Sequence, residues 1–221
     1  MFTAVEPVDL RLVPGELLVI RGRSGSGKST LLSMLAGILA PTEGAVLIGG
    51  EDLYALPDAE ASSLRNERIG VIPQGHTALR SLSVMENVLL PSIIRSRVEG
   101  EGIRERAEAL LEGVDLAGLA EARPDELSGG ELRRMAVARA LVMRPETVLA
   151  DEPTAGLDAG NAQTVLRMLR RAADEGAAAL VVTHEDEAVR FADRVMTMDS
   201  GVLCVEAPRA EALPPAKISI R

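Results

Sequence analysis

The chain has 221 residues, enough for one large domain with a full hydrophobic core. Hydrophobic residues make up 47% and charged residues 26%, an ordinary globular balance that excludes disorder as the global state. Against 33 acidic residues stand 24 basic ones, and the net charge of -9 argues against a general electrostatic nucleic-acid binder.

Residues 5–12 and 17–21 read as two strands around the Pro14-Gly15 turn. The second, Leu-Leu-Val-Ile, is apolar on both faces, as in a strand buried within a covered sheet. It runs into Gly22-Arg23-Ser24-Gly25-Ser26-Gly27-Lys28-Ser29-Thr30. The spacing then predicts a helix from Lys28 to about Leu39, with Leu31, Leu32, Leu35 and Ile38 on one face. Residues 46–50 and 69–73 read as short strands. From about Gly75 to Met143 the chain reads as mostly helical. A buried strand pattern returns at 147–150, followed by a helix at 160–173, a strand at 178–183 and a helix at 186–192. Residues 195–205 read as a hairpin turning at Asp199-Ser200-Gly201. The tail from Pro208 mixes Pro, Ala and charge and reads as loosely ordered.

The longest apolar run, residues 177–182, is far short of the ~20 residues a membrane helix needs. The N-terminus lacks the charged-then-apolar pattern of a secretory signal. Cys204 is the single cysteine, so no internal disulfide forms, and a reduced, cytosolic setting is expected.

Alternating strands and helices imply an α/β domain with a mainly parallel sheet, whose ligands bind beyond the carboxyl ends of the strands. Four strand ends carry useful chemistry. They lead into the glycine loop, Gln74, the pair Asp151-Glu152, and His184.

Residues 22–29 fit G-x-x-x-x-G-K-[ST]. Glycines let successive backbone N–H groups curl around phosphates, and the helix N-terminus adds partial positive charge. Lys28 is one of only two lysines among 24 basic residues, so this position takes a compact point charge in an arginine-rich chain. It suits the β- and γ-phosphates, and Ser29 offers a hydroxyl to Mg²⁺. Asp151 suits the hydration shell of that ion, and Glu152 suits a general base for an attacking water. Together these motifs describe a P-loop nucleoside triphosphatase. Leu127-Ser128-Gly129-Gly130-Glu131 opens a further predicted helix and reads either as a second anion-binding end or as a serine N-cap with a permissive glycine pair.

With these motifs on one chain, the sequence resembles the ATP-binding subunit of ATP-binding-cassette (ABC) transporters over nearly its whole length. Residues 22–30 look like the Walker A loop, Gln74 like the Q-loop glutamine, residues 127–131 like the family signature, and residues 147–152 like Walker B. Ala155-Gly156-Leu157-Asp158 looks like the D-loop, although Gly156 departs from the commoner pattern. His184 looks like the switch histidine. The resemblance implies a RecA-like core over residues 1–75 and 144–206 with a shortened antiparallel β part, a helical subdomain over about 76–143, and a tail from 207. It implies ATP and Mg²⁺ as ligands. ATP is expected between residues 22–30 of one copy and Ser128, Gly129, Gly130 and Asp158 of another. Catalytic roles are expected for Lys28, Gln74, Glu152 and His184, and Mg²⁺ contacts for Ser29, Gln74 and Asp151. The implied partners are an integral membrane permease at the cytoplasmic face of the membrane and a second ATPase copy. Residues 64–70, 84–88 and 149–154 look most like the lipoprotein-releasing, macrolide-efflux and cell-division cluster of that family.

A non-transport ABC ATPase of the ribosome or of DNA repair is the alternative reading. Such proteins carry two cassettes or a long coiled-coil insertion, and this acidic chain shows neither. A small-molecule kinase has no use for a second phosphate site supplied in trans. One departure concerns the base. The family places an adenine-stacking aromatic some 20–30 positions before Walker A, whereas here Phe2 is the sole upstream aromatic and stands too close. Weak or base-unselective nucleotide binding is therefore expected. His76 and Tyr54 read as surface or interface residues, Cys204 as a small hydrophobe in the terminal hairpin, and Arg133 and Arg134 as a solvated helix face. No Cys/His set has metal-ligand spacing.

Overall fold

The computed structural model describes residues 3–75, 77–96 and 102–205. Phe2, His76 and the tail from Pro208 lie outside the described residues. Strand β1 (Leu17–Arg21) leads through the glycine loop into α1 (Lys28–Leu35). The short strands β2 (Leu47–Ile48) and β3 (Glu51–Asp52) are followed by α2 (Asp58–Arg68) and β4 (Ile69–Ile72). Helices α3 (Val84–Ser96), α4 (Ile103–Gly113) and α5 (Gly129–Leu141) come next. The chain closes with β5 (Thr147–Asp151), α6 (Ala159–Asp174), β6 (Ala178–Thr183), β7 (Arg194–Asp199) and β8 (Val202–Val205).

The main sheet has the order β4-β5-β6-β1-β7-β8, parallel except for the β7–β8 hairpin at its edge. Its strands are apolar on both faces because both faces are covered. Leu18, Ile20, Leu149 and Leu180 pack toward α1, whereas Leu17, Val19, Val148 and Val181 pack toward α5 and α6. At about 1.5–3 kcal/mol for each fully buried aliphatic side chain, these two layers dominate the stabilisation. A third cluster, including Val88, Leu111, Met135 and Val142, joins α3, α4 and α5. The register pairs Ile72 with Ala150, Asp151 with Val182, and Arg21 with Thr183. Four carboxyl ends therefore finish side by side along one edge.

Several expectations need correction. Residues 5–12 form no strand. Leu10 and Leu12 are buried, yet the segment carries Pro7, which has no N–H to donate, and it is fixed by packing and by Glu6 N donating to Gly201 O at 2.9 Å. Helix α1 stops at Leu35 instead of reaching Leu39, and Ile38 is 70% exposed. Gly37 ends it: at φ +71° its N–H bonds Met34 O while Ile38 N–H bonds Ser33 O, a Schellman closure. The strand expected at 46–50 is a minimal hairpin, since Gly49 and Gly50 both take positive φ and turn Ile48 against Glu51. Residues 187–191 form a 3₁₀ turn in place of a helix. Helix α2 escaped the sequence reading because only Ala61 and Leu64 of it are buried, too thin a stripe to show a period. Its end signals were present: Asp58 and Glu60 in the first turn, Arg65 and Arg68 in the last.

Among the described residues no helix is long and apolar enough to cross a membrane.

Candidate phosphate-binding and hydrolytic site

The loop after β1 is packed against the β7–β8 hairpin, and this decides where glycine is needed. A Cβ on Gly22 would sit 2.2 Å from Met198 O, and one on Gly27, which has φ +105°, 2.3 Å from Ala4 O. Gly201 N donates to Ser26 O at 2.9 Å, tying the hairpin turn to the loop. Lys28 opens α1 and is 6% exposed; its Nζ donates to Gly22 O at 2.7 Å and Arg23 O at 2.9 Å. The ammonium is thus held against the loop, beside a cavity of about 210 Å³ lined by Ala4, Ser24, Gly25, Lys28, Gln74 and Glu152 among others. Ser29 and Thr30 line it too. Nothing lies within 4 Å of a Cβ placed on Gly25, so that part of the loop is open to a ligand.

Asp151 ends β5 and is 7% exposed. Burial raises its pKa, opposed by a hydrogen bond from Ser29 and by the charges of Lys28 and Arg133, and reinforced by Glu152. Its Oδ1 is buried without a hydrogen-bond partner. A buried, unsatisfied carboxylate oxygen beside a serine hydroxyl suits a hard divalent cation. Among the described residues no group of three or more His, Cys, Asp or Glu is placed to hold a metal, so such an ion would take its remaining ligands from water and phosphate.

Glu152 is 7% exposed and has φ +48°, an unfavourable backbone for a non-glycine residue that marks functional turns. Its Oε1 lies 2.9 Å from His184 Nδ1, and its Oε2 accepts from Thr183 Oγ1 at 2.9 Å. The hydrogen bond and charge of Glu152 raise the His184 pKa. Thr183 is fully buried and orients the carboxylate, a role that the sequence reading missed; its place beside His184 at the end of a buried strand was the available signal.

Ser128, Gly129, Gly130 and Asp158 stand outside this cavity. Ser128 caps α5 in a reciprocal box with Glu131: the Ser128 N–H donates to Glu131 Oε2 at 2.7 Å, and the Glu131 N–H to Ser128 Oγ at 3.3 Å. Asp158 caps α6 by accepting from Gly160 N and Asn161 N, each at 3.0 Å.

Arg133 and Arg134 are not a solvated face. They are 7% and 8% exposed. Helix α5 is buried from Arg133 to Ala138 without a break, so these arginines turn from solvent to carbonyl and amide oxygens. Arg133 donates to Glu152 O at 3.0 Å and to Gln74 O at 2.8 Å, and Arg134 donates to Asn161 Oδ1. Tyr54 is half-buried, its hydroxyl within 2.8 Å of Met34 O and 2.6 Å of Leu39 O, clasping the end of α1. Cys204 lies exposed in β8. Larger grooves of about 610 and 550 Å³ flank α4 and α6, but they hold neither a glycine cradle nor the strand-end carboxylates.

A protein-family profile described as ABC transporter matches residues 5–155. The lipoprotein-releasing system ATP-binding protein LolD of Shewanella frigidimarina is 44% identical over 201 residues, covering 90% of this chain and 84% of that protein. Two solved structures of the MJ0796 cassette are similar, each with TM-score 0.84 and 36% identity, covering 90% of this chain and 88% of theirs. One is a dimeric bacterial ABC transporter cassette; the other is a dimeric post-hydrolysis state bound to ADP and Pi.

Proposed function

Because this chain belongs to the ABC transporter family and is an ATP-binding, ATP-hydrolysing subunit, we propose that two copies close head to tail around ATP. Each nucleotide is held between residues 22–30 of one copy and Ser128, Gly129 and Gly130 of the other, with Asp158 at the same interface. The observation supporting this reading is that one chain has two glycine-bearing helix starts, and Ser128–Gly130 stand outside the cavity that holds Lys28 and Glu152.

In this assembly Lys28 meets the β- and γ-phosphates, and loop N–H groups take the remaining oxygens. Glu152 accepts the proton of the attacking water. His184, held at Glu152, contacts the γ-phosphate and fixes the geometry of transfer. Ser29, Asp151 and Gln74 supply oxygens for Mg²⁺, which when bound neutralises charge on the phosphate oxygens. Gln74 also reports nucleotide state toward the permease.

The permease's docking place is a groove of about 420 Å³ between α2, α3 and α5, lined in part by Ile38, Asn66, Leu90, Pro91, Ile94 and Met143. Ile38 and Ile94 are 70% and 65% exposed there, an apolar surface that suits a cytoplasmic helix of a membrane partner. Such a surface supports a subunit bound through the permease at the cytoplasmic face of the membrane. The relatives' role in lipoprotein release makes a lipoprotein-releasing type of complex the specific expectation.

The test uses tagged Glu152→Gln protein. With ATP and Mg²⁺ it should form a stable dimer and hydrolyse ATP slower by about 10²–10⁴-fold, while Lys28→Ala should neither bind ATP nor dimerise. Pulled from detergent-solubilised membranes, it should bring a multi-span membrane protein. Native-rate turnover by Glu152→Gln sinks the general-base role. Recovery of ribosomes or repair proteins without a membrane partner sinks the transport role.

A further inference from the structure

We propose that Arg133 is a positioning residue, which makes the aim of Glu152 depend on where helix α5 stands; this rests on Glu152 being the general base. The buried guanidinium forks between two strands. Nη1 donates to the backbone carbonyl of Glu152 at 3.0 Å, just past β5, and Nη2 to that of Gln74 at 2.8 Å, just past β4. Gln74 and Glu152 both line the phosphate cavity. One planar group therefore fixes the distance between the Q-loop backbone and the backbone that carries the base, which a flexible ammonium cannot do as well.

Glu152 depends on such external fixing. Its left-handed backbone persists only where its surroundings over-determine it. Three bonds do so: its N–H donates to Val182 O at 2.9 Å, and its carbonyl accepts from Ala155 N at 3.2 Å and from Arg133. Two of these come from the sheet and the following turn. Only the third comes from α5. Arg133 also places a positive charge close to Asp151, Glu152 and Glu185, which offsets their mutual repulsion.

The same helix holds the Q-loop again beyond Gly75, where Arg139 donates to Thr77 O at 2.9 Å. A displacement of α5 relative to the sheet thus carries the Q-loop with it and tugs the carbonyl of Glu152. Movement imposed on the helical layer reaches the hydrolytic carboxylate through Arg133 without Arg133 meeting nucleotide.

The test is a double-mutant cycle on the full chain, with melting temperatures recorded. Arg133→Met should lower kcat by about tenfold or more while KM for ATP stays within about threefold, since misaim costs rate and not binding. Arg133→Lys should recover part of the rate. In Glu152→Gln protein, Arg133→Met should cost less than about twofold, because no base remains to be aimed. An equal loss in both backgrounds, a KM rise that matches the kcat fall, or an unchanged kcat overturns the proposal. If Arg133→Met does not fold, Arg133→Lys decides: a kcat fall of about threefold or more at constant KM supports it, and a native kcat overturns it. Native-rate turnover by Glu152→Gln alone instead removes the general-base reading beneath it.

Discussion

The carboxylate of Glu152 faces the imidazole of His184 across 2.9 Å, Oε1 to Nδ1, from the ends of two adjacent parallel strands. One partner is buried and the other half in water, with side chains 9% and 61% exposed. The hydrogen bond and negative charge of Glu152 raise the His184 pKa above its ordinary 6.5. The sign follows from linkage. A histidine whose folded-state pKa is raised contributes stability that is fully present below pH 6.5 and lost as pH rises through the folded-state value. Because the ring is exposed, screening keeps the effect on stability small. An NMR titration of the His184 ring is the direct measurement. It should titrate above 6.5 in the native chain and fall back in Glu152→Gln. A native His184 that titrates at or below its ordinary value contradicts the pairing.

What the sequence made legible was whatever repeats a strong local pattern. The doubly covered strands, the glycine loop before α1 and the acidic pair at the end of β5 all follow from run length, glycine spacing and apolar continuity. Less legible was whatever depends on a partner far along the chain. Arg133 looked like a surface charge because the carbonyls it meets, on Gln74 and Glu152, lie 59 and 19 residues away. Thr183 looked like the last residue of a strand until the sheet set it beside Glu152. Helix α2 was hidden by its thin buried stripe, and the early end of α1 by a glycine whose left-handed turn cannot be told from any other Gly.

The two glycines Gly22 and Gly25 should fail in different ways. A Cβ at Gly22 would lie 2.2 Å from the Met198 carbonyl and 2.8 Å from Ser26 Oγ, so Gly22→Ala must push β7 away from the loop. Overpacking of this kind costs about 1–3 kcal/mol or more, and a lowered melting temperature is expected with or without nucleotide. Gly25 has φ +79° and open space around its Cβ position. Gly25→Ala should cost only about 1–2 kcal/mol of backbone strain. Its larger effect should be on ATP affinity, because the methyl enters the space meant for phosphate. Melting curves and calorimetric ATP titrations separate the two. Equal melting temperatures for Gly22→Ala and the native chain contradict the packing argument.

Recognition of the nucleobase should be weak. The chain has one Tyr, two Phe and no Trp. The Tyr54 hydroxyl is fixed at the carbonyls of Met34 and Leu39, at the far end of α1 from the phosphate loop. Phe191 packs into the layer between the sheet and α6. Among the described residues, then, both aromatic rings are committed to packing, and neither lines the phosphate cavity. A stacked aromatic contributes about 1–3 kcal/mol per base, roughly ten- to a hundredfold in affinity, and it does not by itself tell one purine from another. Where no aromatic stacks on the base, affinity rests on the phosphates, which ATP and GTP share. Calorimetric titration of both nucleotides into Glu152→Gln protein should give dissociation constants within about tenfold of each other. ATP bound more than about a hundredfold tighter than GTP would require a base-reading contact that the glycine loop does not provide.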